Sequence, residues 1–294
     1  MENRRSLLLL ILASATWGLS FPVVDYALRF FSPSAILAVR FVIAVFLLGA
    51  WLAHDRKLRF SPSELKFGVV LGVILFAAIG SQTLGQQTVD PSSTAFITGL
   101  YILFVPLIAS LVRVRWPDRR TLLYALVALS GLWLLSGATF PVSMGEGLVL
   151  ACALLWAVHI MVVSRATELD AVRLTFVQLA TCAVLGVAAT ALSGSIPSVW
   201  PALPFLALAY LGVFCSAFAY WAQITAQKHL AAEQAALIML SEPVFAAIFG
   251  VLFFGVILSP AQWAGGAIIL LSMAAATGLG DHEPPARAPP RSQA

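Results

Sequence analysis

Apolar runs separated by short clusters of charged residues, prolines and glycines divide the chain into ten stretches, at roughly 6–28, 33–53, 67–88, 92–113, 121–137, 146–164, 173–193, 204–226, 233–255 and 260–279. A helix crosses the hydrocarbon core with about 20 apolar residues, so each stretch is read as one transmembrane helix and the fold class as an all-α membrane protein. The tail from Asp281, with Pro284-Pro285, Pro289-Pro290 and two arginines, carries too little apolar content to pack and is expected to be disordered. At the other end, Arg4-Arg5, a leucine-rich run and Ala13-Ser14-Ala15 imitate a secretory signal. The apolar character continues through Leu28, which predicts an uncleaved first helix.

Composition narrows the solvent. Of 294 residues, 61% are hydrophobic and 10% charged, and the mean hydropathy is +0.95. A soluble globular protein carries about 25% charged residues. The net charge of +4 does not mark a nucleic-acid partner, because the basic residues fall in short loops between the expected helices. With the N-terminus inside, 15 of the 17 lysines and arginines lie on the inner side, leaving only Arg29 in an outer loop and Arg40 within a span. That asymmetry predicts a multi-pass protein of the bacterial inner (plasma) membrane with both termini cytoplasmic. Cys152, Cys182 and Cys215 stand alone in apolar runs, so neither a disulfide framework nor a metal cluster is indicated, and no cofactor is expected. The partners expected are small-molecule substrates and the lipid bilayer, with the chain a monomer.

The two halves resemble each other. Trp17-Gly18 is echoed by Trp156-Ala157, 139 residues later, while Gln82 and Gln86 recur as Gln223 and Gln227, and Thr94-Ala95 as Ala235-Ala236, each 141 residues later. Five spans per copy is an odd number, so the second copy enters the membrane inverted, and inverted repeats put a substrate site near the midplane between them. The expected division is 1–139 for the first five-helix repeat, 140–280 for the second and 281–294 for a cytoplasmic tail.

Polar groups inside a bilayer are costly, about 2.5–3.5 kcal/mol for a central charge on insertion scales, so each one is a candidate. Arg40 lies seven residues after Pro33, about 10 Å below the outer surface at helical rise. It can snorkel outward, or pair with Asp25 or a substrate carboxylate. Glu242, directly before Pro243, is the deepest carboxylate. A neutral acid hydrogen-bonded to a neighbour and a proton-coupling or amine-binding group are both open for it. His159 lies on nearly the face of Trp156, either as a cavity residue or as a cross-helix hydrogen bonder. Trp17, Tyr101 and Trp156 near mid-depth, with Tyr220 in the inner half of its stretch, either line a cavity together with Gln82, Gln86 and Gln223 or pack as core. Trp51, Trp116, Trp200 and Trp263 sit at the ends, where an interfacial belt puts them. Pro22, Pro106 and Pro243 each interrupt a helix interior and free a carbonyl, as a hinge or gate requires.

Taken in order and spacing, Trp17-Gly18 with Phe21, the run from Ser216 to Gln234, Glu242-Pro243-Val244-Phe245-Ala246-Ala247, and Gln262 followed by Gly265-Gly266-Ala267-Ile268-Ile269 resemble the drug/metabolite transporter (DMT) superfamily in its ten-helix EamA branch. Two places depart from the usual pattern: Gly255 is followed by Val256 rather than glutamate, and Arg115 stands at the equivalent point after the fourth helix. Within the branch, the chain is similar to exporters of aromatic and other amino acids of the YddG kind. The resemblance implies two inverted five-helix repeats around a central cavity that opens alternately to each side, with Tyr101 and Trp156 lining it and the glutamine pairs guarding its ends.

Export of amino acids, including aromatic ones, and of related small metabolites is the function these readings favour. A sugar-phosphate or nucleotide-sugar exchanger needs more cations at its site than Arg40 supplies. An enzyme is not expected. An intramembrane protease or acyltransferase needs a nucleophile with a base, or paired metal ligands, whereas His54, His159, His229 and His282 are scattered.

Overall fold

The computed structural model describes residues 2–113, 118–136, 143–200 and 202–278. The expected disordered tail, 281–294, and Trp116 lie outside them. Among the described residues there is no strand, and the helical elements join into ten passages. They are α1 (Glu2–Leu28), α2 (Pro33–His54), α3 (Pro62–Gly85), α4 (Pro91–Val112), α5 (Arg119–Ser136), α6 (Met144–Val163), α7 (Ala171–Leu192), α8 (Ala202–Ala226), α9 (Ala232–Phe253) and α10 (Pro260–Gly278). Eight of them are long and apolar enough to cross a membrane by length and composition. The other two, α5 and α10, pack against each other. Their backbones meet where a Cβ on Gly265 would come within 2.5 Å of the Gly131 carbonyl oxygen, so only glycine fits.

Local chemistry sets the helix ends. Ser61 and Ser143 each accept a hydrogen bond from the backbone N–H of a glutamate three positions on, while Glu64 and Glu146 reach back to the cap N–H. This cap is why α3 begins at Pro62, five residues before the apolar run that marked it in the sequence. Pro33, Pro62 and Pro91 occupy first-turn positions, where a missing N–H costs nothing. Outside the bundle, Phe46 is 75% exposed and Leu192 90%. Side chains of this kind on every face match a hydrocarbon solvent. Trp51, Trp200 and Trp263 are half-exposed at helix or loop ends, as the interfacial belt requires.

Three passages that read as single helices in the sequence are interrupted. α4 divides into Pro91–Gly99 and Tyr101–Arg113, and α9 into Ala232–Met239 and Glu242–Phe254. The breaks correspond: Tyr101 and Glu242, 141 residues apart, each open a second piece. In α9 the cause is Pro243, which has no N–H to carry the ladder across. In α8 a π-helical stretch, Leu211–Phe218, interrupts the α geometry. Pro22 leaves α1 continuous, and Pro106 lies inside the second piece of α4 rather than at its break.

The most extensive helix contacts all join a helix of α1–α5 to one of α6–α10, notably α2 with α7, α3 with α6 and α7, and α1 with α8 and α9. The halves therefore interleave as one bundle, and its centre is made of residues from both.

Candidate functional site

At that centre, three helices bring four rings together. Trp17 of α1 meets Trp156 of α6 edge-on, with ring centroids 5.4 Å apart, and Tyr220 of α8 lies 5.5 Å from Trp17 and 5.9 Å from Trp156. His159, one turn along α6, stacks on Trp156 at 5.6 Å. All four are buried. Edge-on and tilted rings of this kind favour each other beyond their buried area, yet several of their polar tips have no hydrogen-bond partner among the described residues: Trp156 Nε1, His159 Nδ1, and the hydroxyls of Tyr220 and of nearby Tyr101. Unpaired buried polar atoms are costly and rare, and a cluster of them marks a place where a ligand supplies the missing bonds.

Trp17, Trp156 and Tyr220 border a chamber of about 20 Å³ that Arg40, Gln82, Thr98 and Glu242 also line, with His159 outside its lining. That volume holds about one water, so the chamber is closed around its polar groups in this conformation. Gln82 donates to Thr98 Oγ1 at 2.9 Å. Arg40 Nε donates to Ser216 Oγ at 3.1 Å. No ion pair joins Arg40 or Glu242 to any other described residue. The pairing of Arg40 with Asp25 that the sequence allowed is not made: Asp25 binds Arg29, at 3.0 Å on the exposed end of α1.

The π-helical stretch of α8 positions two of these groups. Its Cys215 carbonyl accepts the Trp17 indole N–H at 2.9 Å, and its Ser216 holds Arg40 while donating to the Leu211 carbonyl five residues back. Gly212, one turn earlier, lets α8 lie against α2, since a Cβ there would come within 2.9 Å of the Arg40 carbonyl oxygen. π-Bulges concentrate at functional sites for this reason: the widened turn redirects backbone and side-chain groups that a regular helix would bury in its own ladder. Sequence reasoning missed Ser216, Cys215, Thr98 and Ser20 as neighbours of the site, and small polar residues in an apolar helix carry no signal of this kind.

The glutamine pairs lie above and below. Gln86 Nε2 donates to the Phe21 carbonyl at 3.3 Å, linking α3 to α1, and Gln227 Nε2 donates to the Ile160 carbonyl at 3.0 Å, linking α8 to α6. The donors are 141 residues apart and the acceptors 139, so the same bond recurs in each half, at opposite ends of the bundle. Gln223 donates to Gln227 Oε1, and Gln223 Oε1 and Gln86 Oε1 have no hydrogen-bond partner among the described residues. His159 Nε2 bonds Gln178 Oε1 of α7 at 3.0 Å, the cross-helix arrangement that the sequence left open.

Two larger cavities flank the broken helices. One, of about 310 Å³, is lined by Ser92, Phe96, Pro243 and Ala247 together with Phe21 and Pro22. The other, of about 200 Å³, is lined by Glu233, Leu237, Ile102 and Pro106. Ser92 and Glu233, Phe96 and Leu237, Ile102 and Pro243, and Pro106 and Ala247 are each 141 residues apart, so the cavities are images of one another under the internal repeat. Between the larger one and the chamber, α1 crosses α9 so closely that a Cβ on Gly18 would lie 2.8 Å from the Glu242 carbonyl oxygen.

The two halves of this bundle each match the model of the EamA-like transporter family, over residues 4–137 and 143–278. The chain belongs to the EamA-like transporter family. It is accordingly a multi-pass membrane protein and a transporter, in the EamA branch of the DMT superfamily. Two proteins of Archaeoglobus fulgidus, both named "Uncharacterized transporter", are similar: one is 30% identical over 265 residues, covering 90% of this chain and 83% of its own length. The second is 22% identical over 280 residues, covering 90% of this chain and 96% of the relative. A solved structure titled "Crystal structure of protein" agrees in fold, with a TM-score of 0.77, 21% identity, and coverage of 93% of this chain and 96% of the other.

Proposed function

We propose that this EamA-like transporter exports amino acids, including aromatic ones, and related small metabolites across a bacterial inner membrane, working as a monomer with both termini cytoplasmic. Residues 1–139 and 140–280 act as the two inverted repeats, and solute binds between them. The observation that carries this reading is the cluster of Trp17, Trp156 and Tyr220 around a chamber with unpartnered polar tips. An apolar body with a few convergent polar groups is what a small amphipathic solute requires.

Alternating access is supported by the matched breaks in α4 and α9 and by the repeat-related cavities on either side of them. Discontinuous helices at corresponding places in two inverted halves are a recurring sign of a substrate site. Tyr101 and Glu242 open the inner ends of the broken segments, where a small rotation enlarges the chamber toward one cavity or the other. Gln86 and Gln227 serve as latches at the two ends.

Purified full-length protein in liposomes should move radiolabelled phenylalanine, threonine or methionine down a gradient. Vesicles inert across a broad amino-acid panel overturn the reading. A fluorescent-protein or phosphatase fusion at Ala294 should report a cytoplasmic C-terminus.

A further inference from the structure

Arg40 and Glu242 are the two charged side chains bordering the central chamber, and their surroundings differ from those of the other buried groups. Arg40 is 3% exposed, in α2, with only Ser216 as a side-chain hydrogen-bond partner; Glu242 is 7% exposed, at the start of the second piece of α9. Neither is neutralised by another described residue, and they do not pair with each other. A lone charge in a low-dielectric interior is costly, and inside a membrane it usually marks a solute path.

From this we infer that Arg40 and Glu242 together select a zwitterion, Arg40 receiving its carboxylate and Glu242 its ammonium group. This rests on the amino-acid reading above and names the residues that enforce it. A zwitterion brings no net charge, and with Arg40 and an ionised Glu242 facing it, each charge of the solute and of the chamber gains a partner of opposite sign. A solute with only an amine leaves Arg40 unpaired, and one with only a carboxylate leaves Glu242 unpaired. Truncating one member of a buried charge pair is penalised mainly through the partner left behind. The guanidinium, being planar and always charged, suits a carboxylate. Its Nε is fixed by Ser216, leaving its other nitrogens free of that bond. Ser216 is in this scheme a positioning residue, and the π-helical stretch is what brings it to Arg40.

The test uses the purified full-length protein and three ligands of similar apolar body: phenylalanine, phenethylamine and 3-phenylpropionate. Affinities are read from ligand-dependent shifts in Tm, which need no transport activity from a variant. The unsubstituted protein should bind phenylalanine at least ~10-fold more tightly than either analogue. Arg40→Gln should abolish the preference for phenylalanine over phenethylamine while retaining that over 3-phenylpropionate. Glu242→Gln should do the reverse. Ser216→Ala, which keeps both charges, should raise KM for phenylalanine uptake ~3–10-fold with kcat retained. Selectivity that is unchanged in both charge variants, or that falls equally toward both analogues, overturns the inference even where phenylalanine is transported. If no amino acid binds or moves, the amino-acid reading fails and this inference with it. An unchanged KM in Ser216→Ala overturns the positioning role even if a charge variant fails to fold.

Discussion

Two sets of buried charge in this molecule are built on opposite plans. At the N-terminal ends of α3 and α7, the Glu64 side chain is 3% exposed and lies 2.8 Å from Arg173 Nε, while its other oxygen accepts the Ser61 N–H at 2.7 Å and Arg173 Nη1 donates to the Arg59 carbonyl at 3.1 Å. Every charge there has its partners within the protein. In the chamber, Arg40 has one neutral hydroxyl and the face of the Phe41 ring, 5.3 Å away, and Glu242 has no ion pair among the described residues. The first arrangement ties one repeat to the other and sets each charge against an opposite one. The second leaves interaction unspent, which is a poor way to stabilise a fold and a good way to bind a solute.

The largest stability effect should come from the paired set. Glu64→Ala removes the anion and half of the capping box, and should cost about 2–3 kcal/mol, below the 3–5 typical of fully buried pairs because the Arg173 side chain is 29% exposed. A lower Tm in detergent with transport per folded molecule retained is the expected result. Loss of transport in proportion to every remaining folded molecule would erase the distinction drawn here.

A smaller effect should accompany the repeated glutamine bonds. Gln86→Leu removes the side-chain donor to the Phe21 carbonyl and should cost about 1 kcal/mol, while Gln227→Leu removes the side-chain donor to the Ile160 carbonyl, which keeps the Ser164 N–H, together with the acceptor of Gln223 Nε2, and should cost about 2 kcal/mol. An excess of about 1 kcal/mol in Gln227→Leu, the size of the additional Gln223 bond, would support the internal symmetry. A difference well above that size would show that the two ends are not equivalent.

The smallest stability change should come from the unpaired set. Arg40→Gln and Glu242→Gln should shift stability by no more than about 0.5 kcal/mol, or raise it, because Arg40→Gln relieves a charge that no described residue neutralises and Glu242→Gln exchanges groups of the same shape with no ion pair to lose among the described residues. Phenylalanine transport should fall by at least ~10-fold in both. If either substitution instead lowers Tm as much as Glu64→Ala does, the charge concerned is structural, and the contrast between the two sets is lost.

Much of the site was visible in the chain before the structure. Trp17, Trp156, Tyr220, Gln82, Arg40 and Glu242 are rare residue types in apolar helices, and an intramembrane polar group is expensive enough to be conspicuous. Asp25, one of the partners open to Arg40 from the sequence, instead binds Arg29, which is four residues and one helical turn away. Ser216 and the Cys215 carbonyl could not be found, since their importance depends on which residues of α1 and α2 come to face them.

Hydrophobic run length determined by itself that the chain would fold as ten helices, because each span must satisfy its own backbone hydrogen bonds in a solvent that offers none. The repeat, with its offsets of 139 and 141 residues, was likewise written in the order of residues. Where the helices break, which carbonyls are freed and whether two buried charges meet each other or face a common space were decided only when the halves interleaved. Those outcomes turn on ångström-scale approaches such as Gly18 against Glu242 and Gly212 against Arg40, and a one-dimensional pattern has no term for distance between residues that are hundreds of positions apart.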